Sequence, residues 1–259
     1  MFTKGTAPQR LNETSADKRA PLGSMFVDDD GRVWRYARAG ATALVGGELV
    51  QSNVTYTTSH ICGKTTTAPR TGESANKGSQ AIGFTTTTTS VADNAFAEGY
   101  VGQATSTSAW LDQVSGHAAL TASTAGDVRF KRNLPVTQSV GSVRGFLYPN
   151  PYDRVVIAAT SLVKPPVGIP QWEVEANYYF WLLVRGVGMG RRQGTPVEGQ
   201  GVIPSATTAG HLSPWTIAIP SGTDAAGGTA TPAQGYPVGY CIAYASGATH
   251  GVLVFLNLP

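Results

Sequence analysis

Apolar residues along this chain come in short runs, and polar residues interrupt them at every second position. After the run Met25-Phe26-Val27, Val33 alternates with Arg32 and Trp34 with Arg35, the period-two pattern of a half-exposed strand. Between the two runs lie Asp28, Asp29, Asp30 and Gly31, residue types that tolerate positive φ, so the stretch 25–51 is predicted to open as a β-hairpin. Ala39-Gly40-Ala41 and Val45-Gly46-Gly47 break the rest of residues 25–60 into further short strands. From residue 128 the segments VRFKRNLPV, SVRGFLYPNPY, DRVVIAAT and SLVKPPVGIP repeat the theme, separated by Pro and Gly at intervals suited to all-β folds. The run VEANYYFWLLVRGVGM (174–189) is the strongest predicted strand, and its continuous apolar character predicts burial on both faces. WTIAIP (215–220), VGYCIAYA (238–245) and THGVLVFLNLP (249–259) supply the last strands.

Three regions read differently. Residues 1–24 lack hydrophobic periodicity and predict an extended arm that orders only against a neighbour. Residues 61–127 are rich in Thr, Ser, Ala and Gly, including FTTTTTS at 84–90, and predict edge strands and loops. Within them, 92–103 and 108–120 carry weak helical spacing and fit either a short helix or a strand pair. No strict repeat of solenoid or propeller length is present. The expected architecture is all-β: β-sandwich or β-barrel-like domains with an extended N-terminal arm (1–24), a β-rich region (25–127), a C-terminal β domain (128–259), and long Gly/Thr/Pro-rich loops.

Composition supports this. Of 259 residues only 14% are charged, with 31 Gly and 16 Pro, and helix formers are sparse relative to β-branched residues. The net charge is +3 and the basic residues are scattered. The short clusters Arg129-Phe130-Lys131-Arg132 and Arg191-Arg192 fit strand ends as well as phosphate contacts, so direct nucleic-acid binding is not expected. No segment approaches a membrane span and the N-terminus has no apolar signal region. Sequons at Asn12 and Asn53 matter only in a secretory pathway. The two cysteines, Cys62 and Cys241, allow one disulfide but no CxxC zinc site.

Candidate chemistry is thin. Setting Gly31 as position 6 of a calcium loop places Asp28 and Asp30 at ligand positions, but Phe26 and Ala37 then stand where carboxylates are needed. Gly63-Lys64-Thr65 matches the tail of a phosphate-binding loop, with Thr58 where its first glycine should be. Gly186, Gly188 and Gly190 do not fit the dinucleotide fingerprint and predict a bulge or close backbone packing. His60, His117, His211 and His250 stand alone, and His60 with Cys62 has no second ligand pair. Glu173 and Glu175 would share one strand face, which by itself does not make a glycosidase pair. No catalytic, cofactor or metal residue is assigned and no enzyme is expected.

What remains is surface. Trp34, Tyr36, Tyr178, Tyr179, Phe180, Trp181 and Trp215 are aromatic enough to anchor an interface, although an all-β fold first needs such residues inside. Phe2, Leu11 and Leu22 of the arm, with Trp34 and Tyr36 of the hairpin, are the candidate interface residues.

Three stretches carry a family resemblance. They are the opening LGSMFVDDDGRVWRYARAGATALVGGELVQ, the aromatic strand NYYFWLLVRGVGM ending on Arg-Gly, and the closing hairpin GYPVGYCIAYASGATHGVLVFLNLP. Together they resemble virion proteins of tailed bacteriophages, in particular head decoration or cement proteins. The resemblance implies a structural protein made in the bacterial host cytoplasm and placed on the outer capsid surface. Its implied partners are the major capsid protein and copies of itself, as a homotrimer, with no cofactor and no membrane. Truncation of residues 1–24 is then expected to weaken attachment and leave the β core folded. The rival expectation is a tail-fibre or tailspike module that binds a receptor or carbohydrate.

Overall fold

The fold was analysed in a computed structural model of the chain. It describes residues 9–53, 61–62, 77–85, 90–104, 109–122, 125–135, 137, 145–161, 164–215, 237–244 and 251–258. These residues contain strands and turns and no helix, so the all-β expectation holds. The strands are β1 (Met25–Val27), β2 (Val33–Arg38), β3 (Val50–Gln51), β4 (Ile61–Cys62), β5 (Ala81–Thr85), β6 (Tyr100–Ala104), β7 (Ala109–His117) and β8 (Ala125–Phe130). They continue as β9 (Gly145–Tyr148), β10 (Val156–Ile157), β11 (Pro166–Gly168), β12 (Tyr179–Gly190), β13 (Gly201–Pro204), β14 (Leu212–Pro214), β15 (Gly239–Tyr244) and β16 (Val252–Asn257).

The chain divides into two compact units, and the division is not the one expected. One unit joins residues 1–53 to 152–259, and the other is 54–151. The expected boundary at 127/128 falls inside the second unit, where β7 pairs with β8 across it. In the discontinuous unit a seven-stranded sheet runs β1-β2-β12-β16-β15-β13-β14 and a three-stranded sheet runs β10-β3-β11. One face of the larger sheet converges on a single cluster that includes Phe26, Trp34, Tyr36, Trp181, Leu183, Val202, Leu212, Val252, Val254 and Leu256. Seven strands can share one cluster only if the sheet curls around it, in half-barrel fashion. On the opposite face of β2 and β12, Ala37, Phe180 and Leu182 meet Val50, Val155, Val167 and Val174. Residues 180–184 are therefore buried on both faces, as the apolar run predicted.

The three aspartates form the hairpin turn. Val27 pairs with Val33, and the Asp28 carboxylate accepts bonds from the backbone N–H of Asp30 (3.1 Å) and Arg32 (2.9 Å), from Arg32 Nε (2.7 Å) and from Trp34 Nε1 (3.1 Å). An acceptor with those four donors is a structural hub, and Gly31 supplies the positive φ (76°) that closes the turn.

Residues 9–24 are not a free arm. Ser15 bridges Tyr179 through two backbone hydrogen bonds (3.0 and 2.8 Å). Gln9 accepts from the Tyr36 hydroxyl at 2.8 Å on its side-chain oxygen and from Trp181 Nε1 at 3.0 Å on its carbonyl. Ala20 and Leu22 belong to the main cluster, and Leu11 packs against it. Removing residues 1–24 would strip part of the core, so the expectation that this truncation spares the fold is corrected. Phe2 lies outside the described residues.

In the other unit the order is β4-β9-β6-β7-β8-β5, which puts β4 and β5 at the edges. β7 hands over from β6 to β8 between Gln113 and Val114, and its pairing with β8 shifts register between Val114 and Gly116. The two segments with weak helical spacing resolve as turns and strands: 93–98 is turn, and β6 and β7 follow. Ile82, Phe84, Val101, Trp110, Val114, Val128 and Phe130 form this unit's core.

Candidate protein-contact surface

The second half of β12 explains where the surface comes from. Its pairing with β2 shifts register between Leu183 and Arg185, so the residues beyond the shift exchange faces. Gly186, Gly188 and Gly190 are buried, whereas Arg185, Val187 and Met189 are exposed. The core side has no room for side chains there. A Cβ on Gly188 would collide with the Leu183 side chain, and one on Gly190 would lie 2.7 Å from Leu212 Cδ1. The expected bulge and close packing are both present.

The large apolar residues of the alternation therefore point away from the core. Val187 pairs with Phe255, Phe255 with Tyr240, and Tyr240 with Gly201. Directly opposed antiparallel residues share a face, so these form a row across four strands. At its end the Trp215 ring lies over Gly201, 2.9 Å from where a Cβ would stand, and Trp215 N–H donates to the Gly201 carbonyl at 2.8 Å. The next outward row is Met189, Leu253 and Ala243, and the irregularity between Cys241 and Ala243 pushes Ile242 out beside it. Tyr240 is 51% exposed, Met189 50% and Phe255 41%, with Val187 and Ile242 just below. Adjacent exposed apolar side chains on one sheet face are unusual on a protein that acts alone.

The sequence candidates lie elsewhere. Trp34 and Tyr36 are fully buried and Leu22 nearly so. They hold the core together and present no contact area. Leu11 is half-buried against the same cluster. Of the other aromatics, Phe180 and Trp181 are core, and Tyr178 and Tyr179 are half-buried. Trp172 is 41% exposed, with one indole face stacked on Trp34 at 5.9 Å between ring centroids. The sequence missed the β12–β16–β15 face because RGVGMG reads as the tail of a buried strand. The available signal was the alternation itself, since glycines at every second position put all the bulk on one side.

No protein family, curated protein or solved structure matches this chain.

Several of the groups considered for chemistry make structural contacts. His117 is buried, its Nε2 accepting the Phe96 N–H at 3.0 Å and its Nδ1 bonded to the Ala118 carbonyl at 2.7 Å. His211 Nδ1 lies 3.0 Å from the Ala209 carbonyl. Cys241 is a free thiol inside the sheet, and burial, with the charge of Glu198 second, pushes its pKa up. Glu173 and Glu175 are exposed in a turn-rich segment and flank Val174, which bridges Leu44. A hydrogen bond with Glu175 raises the Tyr178 pKa. Arg132 pairs with Asp112 at 3.0 Å, and the buried Arg192 has its guanidinium 5.4 Å from the Tyr244 ring. Among the described residues no group of three or more His, Cys, Asp or Glu gathers as a metal site would require. His60, His250 and Gly63-Lys64-Thr65 lie outside the described residues.

Proposed function

We propose that this protein is a structural virion component that binds the outer surface of an assembled phage capsid and stabilises it. The observation that carries the reading is the exposed apolar face of Val187, Met189, Tyr240, Ile242 and Phe255 on a rigid sheet. Covering such a face is favourable by about 25 cal/mol per Å² of apolar surface removed from water. It is built on strands and so is already in its binding geometry. The resemblance of the opening hairpin, the aromatic strand and the closing hairpin to decoration proteins supplies the identity of the partner. The deciding experiment is the copy number of the chain in purified particles, measured by quantitative mass spectrometry against the most abundant coat protein. A number comparable with the coat protein is expected, and complete absence overturns the proposal.

A second reading has its own observation. The Trp172 indole is braced by stacking on Trp34 and is 41% exposed, and a braced, accessible ring suits stacking on a sugar. A handful of copies per particle, with glycan-array binding lost in Trp172→Ala, would favour a receptor-binding module over a decoration protein.

A further inference from the structure

The end of β7 holds a histidine whose two ring nitrogens are both committed. His117 is buried, and its Nδ1 lies 2.7 Å from the Ala118 carbonyl, which can only accept, so Nδ1 carries the proton. Its Nε2 lies 3.0 Å from the Phe96 N–H, which can only donate, so Nε2 carries none. One form of the ring satisfies both contacts, the neutral Nδ1–H tautomer. The second contact fastens a turn, residues 93–98, which docks on β7 at three points. The Asn94 N–H donates to the His117 carbonyl while the His117 N–H donates to Asn94 Oδ1, both at 3.0 Å. The Glu98 N–H donates to the Val114 carbonyl at 2.9 Å. Between them Phe96 enters the unit's core, its ring 5.8 Å from the imidazole, and its N–H is held by Nε2. Asn94 and Glu98 have positive φ, 54° and 63°, a conformation that residues other than glycine keep only while their surroundings impose it. The turn is bent against the preference of two of its own residues.

We infer that His117 is a proton-operated latch: a proton added at Nε2 turns that nitrogen toward Phe96 as a second donor, 3.0 Å from the first with no acceptor between, and releases the 93–98 turn while the sheet stays paired. A charge among the apolar side chains is itself unfavourable and acts in the same direction. The charged groups near the ring do not remove the conflict. Asp93 is exposed, and its carboxylate accepts from Asn94 Nδ2 at 2.9 Å. Glu98, half-buried, ends the turn. On β8, Asp127 and Arg129 flank Val128, the residue paired with His117, and carry opposite charges. On β7 itself Asp112 is bonded to Arg132 at 3.0 Å. Nε2 faces the Phe96 N–H and none of these carboxylates. The sign follows. The closed turn needs the neutral ring, and the open turn leaves an imidazole free to bind a proton, as free histidine does below about pH 6.5. Docking is therefore complete above that pH and is lost as pH falls. The latch lies in the inserted unit 54–151 and goes beyond the capsid reading, because it does not depend on what the protein binds.

Amide exchange of the full chain, followed by NMR and expressed as protection relative to the intrinsic rate at each pH, tests the latch. One proton taken up on opening should lower the protection of the Phe96 amide about tenfold per pH unit below about 6.5. The Phe130 amide, bonded to the Gln80 carbonyl at 3.0 Å across the sheet, should keep its protection. Ring-nitrogen chemical shifts should show a protonated Nδ1 and a bare Nε2 on His117 at about pH 8. His117→Gln has no proton to take up and should flatten the Phe96 profile, whereas Asp93→Asn should leave it standing. If His117→Gln does not fold, the ring shifts and the Phe96 profile of the parent chain decide alone. Phe96 protection that stays flat down to about pH 5, a proton on Nε2 at neutral pH, or a profile abolished by Asp93→Asn overturns the latch. Loss of Phe130 protection in step with Phe96 overturns it as well, since the proton would then unfold the whole unit.

Discussion

Tyr36 shows how far single residues could be read. The period of two put it on the same side of β2 as Trp34, but the sequence offered both as interface residues, and both are fully buried. Its partners were not legible. The hydroxyl donates to Gln9 Oε1 at 2.8 Å and accepts the Arg19 N–H at 2.9 Å, and both come from a segment without hydrophobic periodicity. That segment is held by hydrogen bonds and a few isolated anchors, which leave no period to detect. Burial, ahead of the other causes, raises the Tyr36 pKa, and this fixes the sign of an alkaline effect. Below about 10 the phenol is protonated in folded and unfolded chains alike, and its contribution is complete. As pH rises further the unfolded chain ionises first, so stability is lost as pH climbs through the raised folded value. Tyr36→Phe should cost about 1–3 kcal/mol at neutral pH, since it takes a partner from the buried Gln9 side chain and from the Arg19 N–H. It should also lose less stability than the parent between pH 9 and 11. Urea midpoints across that range check both, and parallel pH profiles for the two proteins would show that the phenol is not the group responsible.

At the scale of the element, β12 is two strands end to end. Its first half is buried on both faces, as the uninterrupted apolar run indicated, while its second half is buried on one. The difference lies in the register shift between Leu183 and Arg185, which β12's own sequence marks only through the glycines at every second position after it. Adjacent residues should therefore respond in opposite ways. Gly188→Ala drives a methyl into the Leu183 side chain and should cost about 1–3 kcal/mol. Met189→Thr, one residue on and 50% exposed, should change the stability of the isolated chain by no more than about 0.5 kcal/mol. Thermal unfolding of the two variants side by side is enough. If Gly188→Ala is neutral and Met189→Thr is not, the faces have been assigned the wrong way round.

For the whole molecule, strand content and the all-β class were legible from local pattern, while the division into units was not. A unit inserted into another leaves no composition break where its ends meet in space. Here those ends are neighbours: Gln51 pairs with Val156 and Val50 with Ile157, so the chain leaves along β3 and returns along β10 as though residues 54–151 were the loop of a hairpin. Each unit also has its own cluster. Phe84, Trp110, Val114 and Phe130 pack in one, and Trp34, Trp181, Leu183 and Leu256 in the other. A unit whose closure needs only a short connection, and whose core is its own, should fold without the insert. Replacing residues 54–151 with a short Gly-Ser linker should leave residues 1–53 and 152–259 folding cooperatively, with the near-ultraviolet circular dichroism of packed Trp34 and Trp181 retained. Cooperative urea unfolding with a slope scaled to the smaller buried surface is the expected result. A broad transition with collapsed aromatic signals would mean that the inserted unit is needed to hold β3 and β10 together.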